Sequence, residues 1–177
     1  MVYSMSIIGV MSDTHDNIPL TEKAIEKFNE LNVDLVIHCG DIISPFIMRR
    51  LGKLKAKMVA VYGNNDGDKD LLKDIALNYG FELHNPPYTL TVDEKRILVL
   101  HGFGAKDETR RIVYSIAKSR EYDIILYGHT HEKDYKVIDG VIVLNPGEVF
   151  GYLSGVSTIA VLDTISLKVD FIELKRM

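Results

Sequence analysis

Residues 7–41 read IIGVMSDTHDNIPLTEKAIEKFNELNVDLVIHCGD. Two short apolar runs, 7–11 and 35–37, are each stopped at once by a polar cluster: Ser12-Asp13-Thr14-His15-Asp16-Asn17 after the first, His38-Cys39-Gly40-Asp41 after the second. Between them Leu20, Ala24, Phe28 and Leu31 recur at spacings of three and four, which lines one face of a helix. Pro19 fits near the start of that helix, where a missing N–H costs nothing. Strand, helix, strand at this spacing is a βαβ unit, and such units build parallel sheets.

The pattern continues outward. Residues 43–54 read as a second helix, 58–62 as a third strand closed by Gly63-Asn64-Asn65-Asp66, and 69–79 as a third helix. The second half is richer in strands. Residues 88–92 and 96–100 form a hairpin about Asp93-Glu94-Lys95, and 109–118 a helix. Residues 124–127 form a strand that ends in Gly128-His129-Thr130-His131. Residues 135–138 and 141–144 flank Asp139-Gly140, a strong hairpin signal. Strands at 158–162 and 167–172 complete the chain. The expectation is an α/β protein: two β-sheets packed face to face with helices outside, one domain over residues 1–177.

Composition bounds the function. A chain of 177 residues buries roughly 70% of its unfolded surface and needs no staples. Its single cysteine, Cys39, allows no internal disulfide and fits a reducing compartment. No apolar run approaches the ~18 residues of a membrane span, and the first ten residues lack the pattern of a secretion signal, so a cytoplasmic location is expected. A net charge of −4 argues against coating nucleic acid or anionic membrane. It leaves room for a small phosphorylated substrate if a bound metal supplies positive charge locally.

The chemistry-bearing residues stand where strands stop. Asp13 and His15 follow the first, Asp41 the second and Asn64 the third; His101 follows the strand ending at Leu100, and His129 and His131 the strand ending at Tyr127. Ligands of open parallel sheets bind at the carboxyl ends of strands. Carboxylate, imidazole and amide oxygen all suit borderline divalent metals. Seven such groups suffice for two ions sharing a carboxylate. An extended backbone would point residues i and i+2 the same way, pairing Asp13 with His15 and His129 with His131 and turning Thr14 and Thr130 aside.

The series Asp13-x-His15, Gly40-Asp41, Gly63-Asn64-x-Asp66, His101-Gly102 and Gly128-His129-x-His131 resembles the calcineurin-like metallophosphoesterase superfamily, and Asn145-Pro146-Gly147 near the end is similar to its small prokaryotic phosphodiesterase branch. The resemblance runs over about residues 6–172. It implies a four-layer αββα sandwich with mixed sheets and a dinuclear centre. Asp13, His15, Asp41 and His131 would hold one ion, Asp41, Asn64, His101 and His129 the other, with Asp41 bridging. Manganese or nickel would be the ions, with iron, cobalt or zinc as alternatives. Two such ions about 3.5–4 Å apart would turn a shared water into the hydroxide nucleophile for a small phosphodiester.

Asn65 departs from the family pattern, in which many members carry a histidine proposed to protonate the leaving group. General acid help is worth roughly 10²–10⁴-fold, so good leaving groups are expected here. Asn65 and Asp66 remain candidates for catalytic roles, Asn65 as a donor to a phosphate oxygen.

Other residues read more plainly. His38 either supports Asp41 or satisfies a local hydrogen bond, His84 lies in an exposed loop, Cys39 is a small buried side chain, and Arg110-Arg111 form a solvated helix face. Phe150 and Tyr152 could wall the pocket or pack elsewhere. A tyrosine-rich surface, where exposed, could support a homo-oligomer. Polymeric nucleic acid is not expected, for want of a base-stacking run of aromatics. The competing functional class is a non-catalytic interaction scaffold of the same fold, like the retromer subunit. Metallo-β-lactamase-like and amidohydrolase sites need ligand runs or chain lengths absent here.

Overall fold

The computed structural model describes residues 7–175. The ends of the expected 1–177 domain, residues 1–6 and 176–177, lie outside the described residues. In chain order the elements are β1 (Ile7–Met11), α1 (Ile18–Leu31), β2 (Leu35–His38), α2 (Pro45–Leu51), β3 (Lys57–Val61), α3 (Lys69–Asn78), β4 (Glu82–His84), β5 (Tyr88–Val92), β6 (Lys95–Val99), α4 (Lys106–Lys118), β7 (Ile124–Leu126), β8 (Lys133–Ile138), β9 (Val141–Pro146), β10 (Ser157–Asp163) and β11 (Val169–Leu174).

One sheet runs β11-β10-β1-β2-β3-β4 and the other β5-β6-β7-β9-β8. Both are mixed. β1, β2, β3 and β4 pair in parallel and β10 joins antiparallel; β6, β7 and β9 are parallel inside antiparallel edges.

Strand alternation sorts the side chains into layers. Ile8, Val10, Leu35, Ile37, Val59 and Val61 meet Ile97, Val99, Ile124, Leu126, Ile142 and Leu144 between the sheets. Met11, Val36, Met58 and Ala60 point the other way, onto Leu20, Ala24 and Phe28 of α1, Ile47, Met48 and Leu51 of α2, and Leu72 and Ile75 of α3. Leu98, Ile125, Tyr127, Val141 and Val143 bury Val113 and Ala117 of α4. The layers are therefore αββα, as expected. Gly9 lets α1 close on β1: a Cβ there would stand 2.6 Å from the Phe28 ring.

Three local expectations are corrected. Leu31 is 39% exposed, and Thr21 and Ile25 share the buried face with Leu20, Ala24 and Phe28 instead. The second helix is shorter than 43–54. Ser44 precedes a proline, which disfavours helical backbone, so α2 begins at Pro45. His84 is not in a loop: it ends β4, parallel to β3, half-buried, with its ring stacked on Tyr88 at 3.6 Å between centroids and its Nε2 2.9 Å from Glu82 Oε2. Three residues are too few to show a period. Among the described residues no helix is long and apolar enough to cross a membrane.

Candidate metal centre

The carboxyl ends of β1, β2 and β3 lie side by side, and the loops leaving them are knitted together. Asp13 N donates to Gly40 O (3.0 Å), and Thr14 N and His15 N both donate to Asp41 O. The second sheet contributes from across the sandwich: Gly128 N donates to His101 O (2.8 Å), which holds the loops after β6 and β7 together. His129 N then donates to Asp13 Oδ2 at 3.0 Å, joining the two sheets at the site.

All seven expected ligands converge. Ligand atoms of Asp13, His15 and His131 lie within 4.8 Å of one another, as do those of Asp13, Asp41 and His101. Asp13 Oδ1 is 3.6 Å from His15 Nε2 and 3.5 Å from His131 Nε2. Asp41 Oδ2 is 3.3 Å from His15 Nε2 and 3.4 Å from His101 Nε2. Asn64 Oδ1 stands 3.0 Å from His101 Nε2 and 2.9 Å from His129 Nδ1.

The far side of each ring says which nitrogen carries a proton. His101 Nδ1 meets Cys39 O (2.8 Å), His131 Nδ1 meets Glu148 Oε2 (2.8 Å) and His129 Nε2 meets Gly104 O (2.6 Å). These oxygens only accept, so those ring nitrogens donate. In the neutral ring the opposite nitrogen is a lone pair. Lone pairs of three histidines thus face oxygens of Asp13, Asp41 and Asn64. Asp13 Oδ1 and His15 Nε2 are buried without a hydrogen-bond partner. Acceptors gathered against acceptors call for a cation, and this thiolate-free set of oxygen and nitrogen donors fits a borderline divalent one.

The electrostatics agree. Burial pulls the His15 imidazole down, but the carboxylates of Asp13 and Asp41 close beside it outweigh burial and raise its pKa to about 9. Burial likewise opposes ionisation of Asp41, yet His101, His15 and the Asn65 amide hold it far below the usual carboxylate range. Asp13 is lowered too, its burial outweighed by His15, His101 and His131.

The two-residue spacing works by a different route from the extended one expected. Asp13 (φ 54°), His15 (φ 39°), Asp41 (φ 57°), His129 (φ 67°) and His131 (φ 61°) all adopt left-handed backbone. Each such residue costs on the order of 1–3 kcal/mol and persists only where its surroundings over-determine it. Thr14 and Thr130 do turn aside, into buried hydrogen bonds: Thr14 Oγ1 donates to Asp41 O and Thr130 Oγ1 accepts from Asn145 Nδ2.

Asn65 donates twice to Asp41, its backbone N to Oδ1 (2.9 Å) and one N–H of its Nδ2 to Oδ2 (2.7 Å). Asp66 accepts the N–H of Ile43 on one oxygen and of Gly63 on the other, both at 2.6 Å. His38 takes the local role. Its Nδ1 accepts from Gly40 N, so its Nε2–H donates to Thr14 Oγ1, and burial drops its pKa to about 4. Arg110 pairs with Glu132 and Asp107, and Arg111 with Glu108. Phe150 lies 5.1 Å from the His15 ring, and Tyr152 packs on Phe150 at 4.8 Å, centroid to centroid.

Sequence reasoning gave no role to Ser12 or Glu148, and it valued Gly128 for its turn rather than for the room it leaves. Ser12 Oγ donates to Asp13 Oδ2 at 2.5 Å. Gly128 leaves the space that Asp13 and Ser12 occupy. Glu148 braces His131; the signal was an acid one residue past Asn145-Pro146-Gly147, at another strand end.

The donor set and its place at the strand ends define a class, the metallo-hydrolases. More particularly, the chain belongs to the calcineurin-like phosphoesterase superfamily, whose domain model matches residues 5–166. It is 42% identical over 158 residues to a phosphodiesterase of Methanocaldococcus jannaschii, covering 89% of this chain and 92% of that one. A solved structure of an archaeal phosphodiesterase superposes with a TM-score of 0.87 at 40% identity, covering 95% of this chain and 99% of the other. The structure of the Escherichia coli phosphoesterase YfcE, 19% identical with a TM-score of 0.67 over 96% of this chain and all of that one, shares the fold.

Proposed function

We propose that this chain is a single-domain, divalent-metal-dependent phosphodiesterase acting on a small phosphodiester. One observation carries the reading: the ligand atoms of seven side chains converge, and the neutral rings of His101, His129 and His131 turn lone pairs toward the oxygens of Asp13, Asp41 and Asn64. Asp13 Oδ1, His15 Nε2, Asp41 Oδ2 and His131 Nε2 would hold one ion. Asp41 Oδ2, Asn64 Oδ1, His101 Nε2 and His129 Nδ1 would hold the other, with Asp41 common to both. Manganese or nickel is the expected ion; iron, cobalt and zinc suit the same donors. When bound, such a pair supplies Lewis acidity, neutralising phosphate oxygens and acidifying a water to serve as nucleophile. The M. jannaschii relative is called a phosphodiesterase, which supports a diester over a monoester.

The chain's own groups set the rest. Asn65 keeps Asp41 oriented and ionised, since two N–H donors stabilise the carboxylate. With no titratable group, Asn65 offers the leaving group no proton, and esters of acidic alcohols or phenols are favoured. Asp66 holds the loop after β3 against Ile43, which keeps Asn64 and Asn65 in place. Phe150 shields one side of His15 from water. A non-catalytic scaffold would not need this ligand set complete, and here it is complete.

The test is hydrolysis of bis(p-nitrophenyl) phosphate by chelator-stripped protein, with manganese, nickel, magnesium or zinc added back and Asp41→Asn as control. Activity that requires metal and disappears in the variant is expected. Folded protein inactive with every metal would sink the enzyme reading in favour of the scaffold.

A further inference from the structure

Glu148 is fully buried (0% exposed), where a carboxylate is costly unless its lone pairs are met. They are met from two directions. Oε2 accepts from His131 Nδ1 at 2.8 Å. Oε1 accepts from three donors of one turn: Leu153 N (2.9 Å), Ser154 N (2.6 Å) and Ser154 Oγ (2.7 Å). Ser154, with Val156, Thr158 and Lys133, also walls a cleft that reaches His131.

We propose that Glu148 is a positioning residue that locks His131 in its Nδ1–H tautomer, so that Nε2 presents a lone pair beside Asp13 Oδ1, and that it ties this pose to the 153–154 turn. The inference rests on the reading of the cluster as a metal site. A carboxylate is needed rather than any hydrogen-bonding group, because both of its oxygens must accept.

Glutamine separates these duties. Its amide has one accepting oxygen and one donating nitrogen. Three donors from the turn claim the oxygen, since turning the NH₂ toward them would set donor against three donors. The NH₂ then faces His131 Nδ1, which can accept only if the ring proton moves to Nε2. The lone pair that should face the metal is thereby lost, while the turn keeps its partners. Partners of this kind behind a ligating histidine are typically worth about 10–100-fold in metal affinity.

The experiment compares wild type and Glu148→Gln by Mn²⁺ titration against a competing fluorescent chelator and by melting of the metal-free protein. Ring-¹⁵N spectra at alkaline pH, with His131 assigned through His131→Gln, read the tautomer. Expected are an Nδ1–H ring in wild type, an Nε2–H ring in Glu148→Gln, Mn²⁺ affinity weakened about 10–100-fold, and a metal-free melting temperature close to wild type. A purely structural role would lower melting and leave the tautomer alone. Wild-type affinity or an unchanged ring in the variant would overturn the proposal. Should Glu148→Gln not fold, the wild-type spectrum decides, because an Nε2–H ring there refutes the assignment. Wild type that binds no Mn²⁺ would bring down the metal-site reading and this proposal together; tight binding by both proteins would bring down this proposal alone.

Discussion

Gly128→Ala is a one-methyl perturbation whose effect follows from the geometry. The new Cβ would overlap Ser12 Oγ and stand 2.8 Å from Asp13 Oδ2 and 2.9 Å from Cys39 O, all of them buried. Gly128 does not use left-handed backbone, so no φ strain is added. The substitution even recovers roughly 0.4–1 kcal/mol of unfolded-chain entropy. Against this stand overpacking at about 1–3 kcal/mol and damage to the Ser12–Asp13 hydrogen bond, a charge-assisted bond worth about 1.5–3 kcal/mol. With the hydrogen bond weakened rather than wholly lost, the net loss should be about 2–4 kcal/mol. At roughly 2–4 °C per kcal/mol for a chain of this size, melting should fall by about 4–16 °C. Asp13 cannot stay in place, so Mn²⁺ affinity should fall as well.

Ser12→Ala removes the atom most in the way at the cost of its own hydrogen bond. The double variant should therefore be more stable than the sum of the singles predicts, by about 1–2 kcal/mol, within the range for residues in contact. Scanning calorimetry of the four metal-free proteins and Mn²⁺ titration of each would measure this. Gly128→Ala melting with wild type, or singles that simply add, would refute the reasoning.

Asn65→His should supply a leaving-group acid but give up the 2.7 Å bond to Asp41 Oδ2. Turnover of a poorly leaving alkyl diester should rise relative to the p-nitrophenyl ester, by up to about 10²–10⁴-fold, while Mn²⁺ affinity drops about tenfold; an unchanged ratio between the two substrates would rule this out. Asp66→Asn leaves one of two backbone donors unmet, so stability should fall by about 1–3 kcal/mol with kcat changed only a few-fold. Normal melting with collapsed kcat would instead place Asp66 in the chemistry. In chelator-stripped protein, protonated His15 contributes stability that is full below about pH 6.5 and is lost as pH rises through about 9, because its folded pKa is the higher one. The span is worth at most about 3 kcal/mol. Melting of stripped wild type should therefore decline over that window more steeply than that of His15→Gln, and excess Mn²⁺ should oppose the decline, since ligation needs the neutral ring. Parallel profiles for the two stripped proteins would contradict the assignment.

Most of the frame was legible in the chain because it is written in short-range order. Apolar runs at 7–11, 35–37 and 124–127 are strands by length and by what stops them, and the alternation with helices dictates parallel pairing. The ligand types were legible for a related reason: each stands directly after a strand, and parallel strands bring such ends to one side. Helix limits were less so. Pro45 moved one boundary, and Leu31, although on the same angular face as Leu20, is the last residue of its helix and is left largely exposed.

What only the tertiary structure decided was the direction of individual atoms. Asp13, His15, His129 and His131 point as they do because loops from two sheets hold them in left-handed backbone, which no spacing rule announces. Asn65 also clamps Asp41, a residue 24 positions earlier in the chain, which no local pattern announced. Glu148 gave no signal beyond its place after a strand, because its two partners, His131 and the 153–154 turn, become neighbours only when β9 pairs with β8 and the chain folds back. Residue type and local period come from the sequence alone. Hydrogen-bond direction, and with it the tautomer of each histidine, depends on contacts between segments distant in the chain.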